Sequence, residues 1–233
     1  LAHAVAYFNA DVGVSGPNFD ASAVPSLKDF VRDITKEVPS PKGSSVYEQW
    51  KKSQADAAAR HHLGVQEHAS QEAAPVDHDV RIGDLGSGSD FTPFIQHLGV
   101  PSTDVGSGGP YGVYHSVFDD YAWFVQNADP TFVYEQEMAR VFGLEVLHMA
   151  DADVLPYDYV TYGKQLTAYL DAAQKKASEA GMKDLDFAPS LAAAGKFAML
   201  AQQVKDKQAQ PGQIADLRSF NNQLRNVEEG FLN

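Results

Sequence analysis

Asp11 closes the apolar run AVAYFNA (residues 4–10) and is followed by Gly13 and Gly16, the pattern of a buried parallel strand leading into a loop. Ligands of open α/β sheets bind beyond the carboxyl ends of strands, so Asp11 stands where a site would be. By residue type alone, an Asp after a strand is more often a turn or capping residue. The chain has 0 Cys, which removes disulfides, thiolate metal sites and cysteine nucleophiles together. Any metal must then be held by His, Asp or Glu. His61, His62, His68 and His78 cluster in sequence but lack the HExxH spacing, so they read as a solvated histidine-rich loop rather than a metal site. The GSGSD run at 86–90 has neither the GxxxxGK[ST] nor the GxGxxG pattern and is not a phosphate loop. No GxSxG elbow suggests a serine triad. His115, taken alone, is a loop imidazole, and Tyr114 a tyrosine with its hydroxyl in water. Asp119 and Asp120 suit either a partner of the imidazole or the start of a helix.

These residues need elements to carry them. Leu27, Phe30, Ile34 and Val38 share one helical face, with Ser26 as a cap and Pro39 as a stop, forming a crossover helix. A second helix is expected from Ser45 through Trp50, and Ser53 to Asp79 then reads as a surface excursion. Phe91, Phe94, Ile95 and Leu98 make a short helix that Gly99 caps. Phe132, Glu135, Ala139, Phe142 and Val146 keep the helical period to about Ala150. Beyond Pro156 come three amphipathic helices, separated near Gly181 to Asp186 and at Pro211-Gly212. The fold class is therefore α/β, with a helical hairpin or bundle appended.

Acidic residues number 31 and basic residues 18, for a net charge of -13. Counterion release from a phosphate backbone opposes binding at that charge, so nucleic acid is not an expected partner. No uninterrupted apolar stretch approaches the ~18 residues of a membrane span, and no membrane insertion by this segment is expected. The chain opens at Leu1 inside an apolar run and is expected to be a piece of a longer protein.

YFNADVGVSG, LGSGSDFTPFIQHLGV, YGVYHSVFDDY and DADVLPYDY, in this order and followed by a helical tail, closely resemble the C-terminal half of the glutamate carboxypeptidase II and transferrin receptor family. The resemblance implies a partial aminopeptidase-like sheet with crossover helices over 1–128. A connecting helix and a transferrin receptor-like dimerisation domain, truncated at its C-terminus, would follow over 129–233. It further implies a di-zinc exopeptidase that hydrolyses peptides with a metal-bound hydroxide in the full-length protein. Asp11 and His115 would each ligate one zinc, and Tyr114 would stabilise the oxyanion. Ser87, Gly88 and Ser89 match the loop that contacts the substrate carboxylate. The bridging Asp, second His, further Glu ligand and general-base Glu of such enzymes come from upstream segments. The chain alone is thus expected to be inactive and to bind zinc weakly or not at all.

The family enzyme selective for acidic substrates carries an Asn at the position of Ser89, and an arginine pair where Asp104 and Gly106 stand here. A broader peptide specificity is expected in consequence. Implied partners are a peptide substrate and a second copy of the chain, and the implied location is extracytoplasmic. The other reading is a non-enzymatic, transferrin receptor-like dimerisation and binding module.

Overall fold

The computed structural model describes residues 3–62, 80–182 and 184–232. Their fold is mixed α/β: a three-stranded sheet, ordered β1-β3-β2, backed and followed by helices. Strand β1 (Tyr7–Asn9) runs parallel to β3 (Ser102–Gly108), with Tyr7 opposite Ser102, Phe8 opposite Thr103 and Asn9 opposite Asp104. Strand β2 (Asn18–Ala23) lies antiparallel on the other side of β3. The parallel strand expected at 4–10 is present, though shorter than its apolar run. The two other strands fall in segments to which the sequence pattern assigns no element.

Strand β2 alternates cleanly, burying Phe19, Ala21 and Ala23. The central strand is made of small residues, STDVGSG, whose cohesion comes from hydrogen bonding on both edges rather than from bulk. Gly106 is required there, since a Cβ would stand 2.6 Å from the Val12 carbonyl oxygen.

A 3-10 turn (Pro25–Leu27) leads into α1 (Lys28–Glu37), which buries Phe30, Val31 and Ile34. Ser26 does not cap it. Its buried hydroxyl donates to Glu228 near the end of the chain. Helix α2 (Val46–His62) runs well past Trp50, farther than the sequence pattern indicated. His61 and His62 end it, while His68 and His78 lie outside the described residues. The next short helix is a π-helical turn, Phe94–Leu98, closed by Gly99 in the left-handed conformation (φ 59°). A brief α3 (Tyr121–Trp123) continues into a second π turn at Phe124–Ala128.

Helix α4 (Val133–Asp151) packs against β1 and β3. Its N-terminus is capped by Asp129, whose carboxylate accepts from the N–H groups of Val133, Tyr134 and Glu135. Helices α5 (Tyr159–Glu179), α6 (Ala188–Gln208) and α7 (Leu217–Glu229) fulfil the expected three. Helices α5 and α6 pair with each other, and α7 returns to the start of the chain, Arg225 Nε donating to the Ala4 carbonyl at 3.0 Å. One apolar core joins Phe19, Ile34, Trp50, Val105 and Val141 to Tyr159, Ala201 and Leu224.

Candidate active site

Asp11 lies in the exposed turn directly after β1, at the carboxyl end of the parallel β1/β3 pair where such sheets place their ligands. What holds this edge together is Asn9, two residues earlier and only 5% exposed. Its Nδ2 donates to Asp104 Oδ1 at 3.0 Å and to Ser89 Oγ at 3.2 Å, while its Oδ1 accepts from the Tyr7 hydroxyl at 3.3 Å. A carboxylate only accepts, so the amide nitrogen must be the atom facing Asp104. The Asp104 carboxyl is held above its usual range by burial and by the neighbouring Asp11 charge. Hydrogen bonds from Asn9 and from the Asp11 backbone offset this in part. The Tyr7 hydroxyl is likewise pushed up, first by burial and then by Asp90, Asp11 and Asp104.

Ser87, Gly88 and Ser89 form a bend beside this edge. Gly88 has φ 105°, a conformation glycine alone adopts readily. The loop is fixed by three further bonds: Gly88 N–H to Thr92 Oγ1 (3.2 Å), Asp90 N–H to Ser89 Oγ (2.6 Å) and Gln96 Nε2 to the Gly86 carbonyl (2.9 Å). Tyr7 also stacks on Phe94, ring centroids 4.0 Å apart.

Tyr114 and His115 lie on the loop between β3 and α3. His115 takes a left-handed backbone (φ 59°), which for a residue with a Cβ costs on the order of 1 kcal/mol. Their rings stack at 3.8 Å, and Tyr114 is 61% exposed. The loop is anchored through Tyr111, which donates to the Asn127 carbonyl at 2.9 Å and meets Trp123 edge to face. Asp120 caps α3 by accepting from Trp123 N–H at 2.8 Å, the helix-start role of the two considered for it.

The structure thus brings Asp11, Ser89 and Asp104 together around Asn9, and pairs Tyr114 with His115 on a separate loop. Among the described residues no group of three or more His, Asp or Glu side chains converges as a metal site would require. Asp11 and His115 do not by themselves make a zinc site. Sequence reading overlooked Asn9 and Tyr7 because both sit inside a run scored as apolar. The available signal was a polar amide within a buried strand, which needs partners.

No family model matches the chain. Among curated proteins, it is 32% identical over 243 residues to the probable glutamate carboxypeptidase AMP1 of Arabidopsis thaliana, covering 99% of this chain and 30% of that protein. It is 37% identical over 165 residues to the probable glutamate carboxypeptidase LAMP1 of the same plant, covering 70% of this chain and 21% of the relative. The chain belongs to the glutamate carboxypeptidase family. The aminopeptidase NAALADL1 of Mus musculus is 28% identical over 246 residues, 98% of this chain and 31% of the relative. The chain spans between a fifth and a third of the length of these carboxypeptidase and aminopeptidase relatives. No described helix is long and apolar enough to cross a membrane.

Proposed function

We propose that this chain is the later portion of a zinc-dependent exopeptidase. Asp11 and His115 would supply two of the metal ligands, Tyr114 an oxyanion donor, and Ser87, Gly88 and Ser89 the substrate-contacting loop. Residues elsewhere in the whole protein complete the site. The observation that carries this reading is the placement of Asp11 at the carboxyl edge of the parallel strands, with the 87–89 bend pinned beside it through Asn9. Two donors are too few for tight zinc, so the isolated chain is expected to take up zinc weakly and to hydrolyse nothing. Isothermal titration of the 233-residue chain tests this. Stoichiometric, tight zinc uptake overturns the incomplete-site reading.

The substrate class follows from the same edge. A carboxylate at Asp104 opposes a negatively charged substrate group, so the whole protein would accept a range of peptides without preference for a terminal glutamate. Hydrolysis rates across peptides ending in acidic, neutral and basic residues test this, and a marked preference for acidic ends contradicts it. Residues 1–128 would belong to the peptidase layer and 129–233 to a transferrin receptor-like region serving homodimerisation, in an extracytoplasmic protein. Exposed Met199 and Leu200 on α6 support a partner surface. A second reading for the isolated chain is a binding module without catalysis, for which the exposed Met199 and Leu200 offer an apolar surface. Activity of the whole protein that depends on Asp11 and His115 separates the two.

A further inference from the structure

We infer that Asn9 is the positioning residue of this site, a buried amide that sets the substrate loop and the Asp104 carboxylate relative to the Asp11 turn. The inference rests on the proposed role of Ser87, Gly88 and Ser89 in substrate contact. Three segments distant in sequence meet at this one side chain: β1 itself, the loop 80 residues later at Ser89 and β3 95 residues later at Asp104. Asn9 is 5% exposed, so its amide holds these partners away from competing water. Its carbonyl oxygen is occupied by the Tyr7 hydroxyl from the same strand face, which fixes the orientation of the amide. Ser89 Oγ receives both Asn9 Nδ2 and its neighbour's Asp90 N–H. The serine is thereby held by β1 on one side and shapes the turn into Thr92 on the other. Asp is the nearest isostere of Asn, yet Asn9→Asp would put a second carboxylate against Asp104 and reverse the contact.

The test compares the wild-type chain with Asn9→Ala, Ser89→Ala and the double variant. Amide hydrogen exchange is followed at residues 86–90, with the α5 and α6 amides as an internal reference. Each single variant is expected to speed exchange at 86–90 by roughly tenfold while the reference amides hold. The double variant should do no more than Asn9→Ala alone, because both remove one shared bond. Unchanged exchange at 86–90 in either single variant, or effects that simply add, overturns the inference. Ser89→Ala keeps the test decisive if Asn9→Ala does not fold, since it breaks the same bond from the half-exposed side. In a preparation of the whole protein that hydrolyses a peptide, Asn9→Ala is expected to raise KM by about tenfold with kcat within about twofold. A fall in kcat at constant KM contradicts a positioning role. A whole protein with no peptidase activity would remove the functional reading while leaving the exchange result to stand.

Discussion

Glu145 sits on α4 with 0% exposure, facing the sheet that carries the candidate site. Among the described residues neither of its carboxyl oxygens has a hydrogen-bond partner of good geometry, although the nearby Thr103 hydroxyl eases the charged form slightly. Burial pushes its pKa up to about 8, against an ordinary carboxyl near 4.5. Glu228, buried in the last turn of α7 and bonded by Ser26, is pushed by burial to about 7. Both folded-state values lie above the unfolded ones. The native state therefore keeps its protons where the unfolded chain has lost them, and stability falls as pH rises from about 4.5 to about 8. The Tm of the chain is expected to be lower at pH 8.5 than at pH 5.5, by on the order of 5 °C. Glu145→Gln should remove much of that slope, as thermal melts at the two pH values will show. A steeper slope in the variant would contradict the assignment.

At the scale of elements, the junction of α1, α5 and α6 depends on Asp158. Its carboxylate caps α5 by accepting from Val160 and Thr161 N–H, and it receives Lys205 Nζ from α6 at 2.8 Å. Burial raises its pKa, but hydrogen bonds from Asp29, Lys205 and the Thr161 backbone outweigh that and hold it near 2. Its contribution is present above the unfolded value near 3.8 and is lost as pH falls toward 2. Asp158→Ala is expected to cost roughly 2–4 kcal/mol at neutral pH, measured by urea unfolding. Helices α1 and α7 were legible in the sequence because each turns an apolar stripe inward at regular spacing. Helix α4 exists where its period placed it, but the expected face leaves Phe132, Glu135, Ala139 and Val146 exposed, and the helix buries Glu137, Met138, Val141, Glu145 and Met149 instead. Strand β3 was not legible, since Thr103 and Val105 are the only strand-favouring residues in STDVGSG and Ser, Gly and Asp surround them. Its identity comes from pairing with two partners distant in sequence. Helix α2 outran its expected end because alanines carry the helix onward without an apolar face. Asp11 was legible as a strand-end carboxylate, whereas the role of Asn9 depends on residues 80 and 95 positions away.

For the whole molecule, a net charge of -13 opposes close approach of two copies, while Met199 and Leu200 on α6 leave apolar surface open. If that surface pairs two copies, sedimentation should show dimers whose fraction rises with added salt as the repulsion is screened. A strict monomer at high concentration and high salt would exclude the homodimer. The mixed character of the fold, helices around a small sheet, follows from the one core that spans β2, α1, α2, β3, α4 and the later helices.

The parallel pairing of β1 with β3 also has a temporal side. Asn9 and its β3 partner Asp104 are 95 residues apart, so at ordinary translation rates β1 leaves the ribosome ~5–20 s before the strand that completes it. During that interval its edge is unsatisfied, and nascent chains stalled or truncated before residue 102 would be open to self-association or chaperone capture.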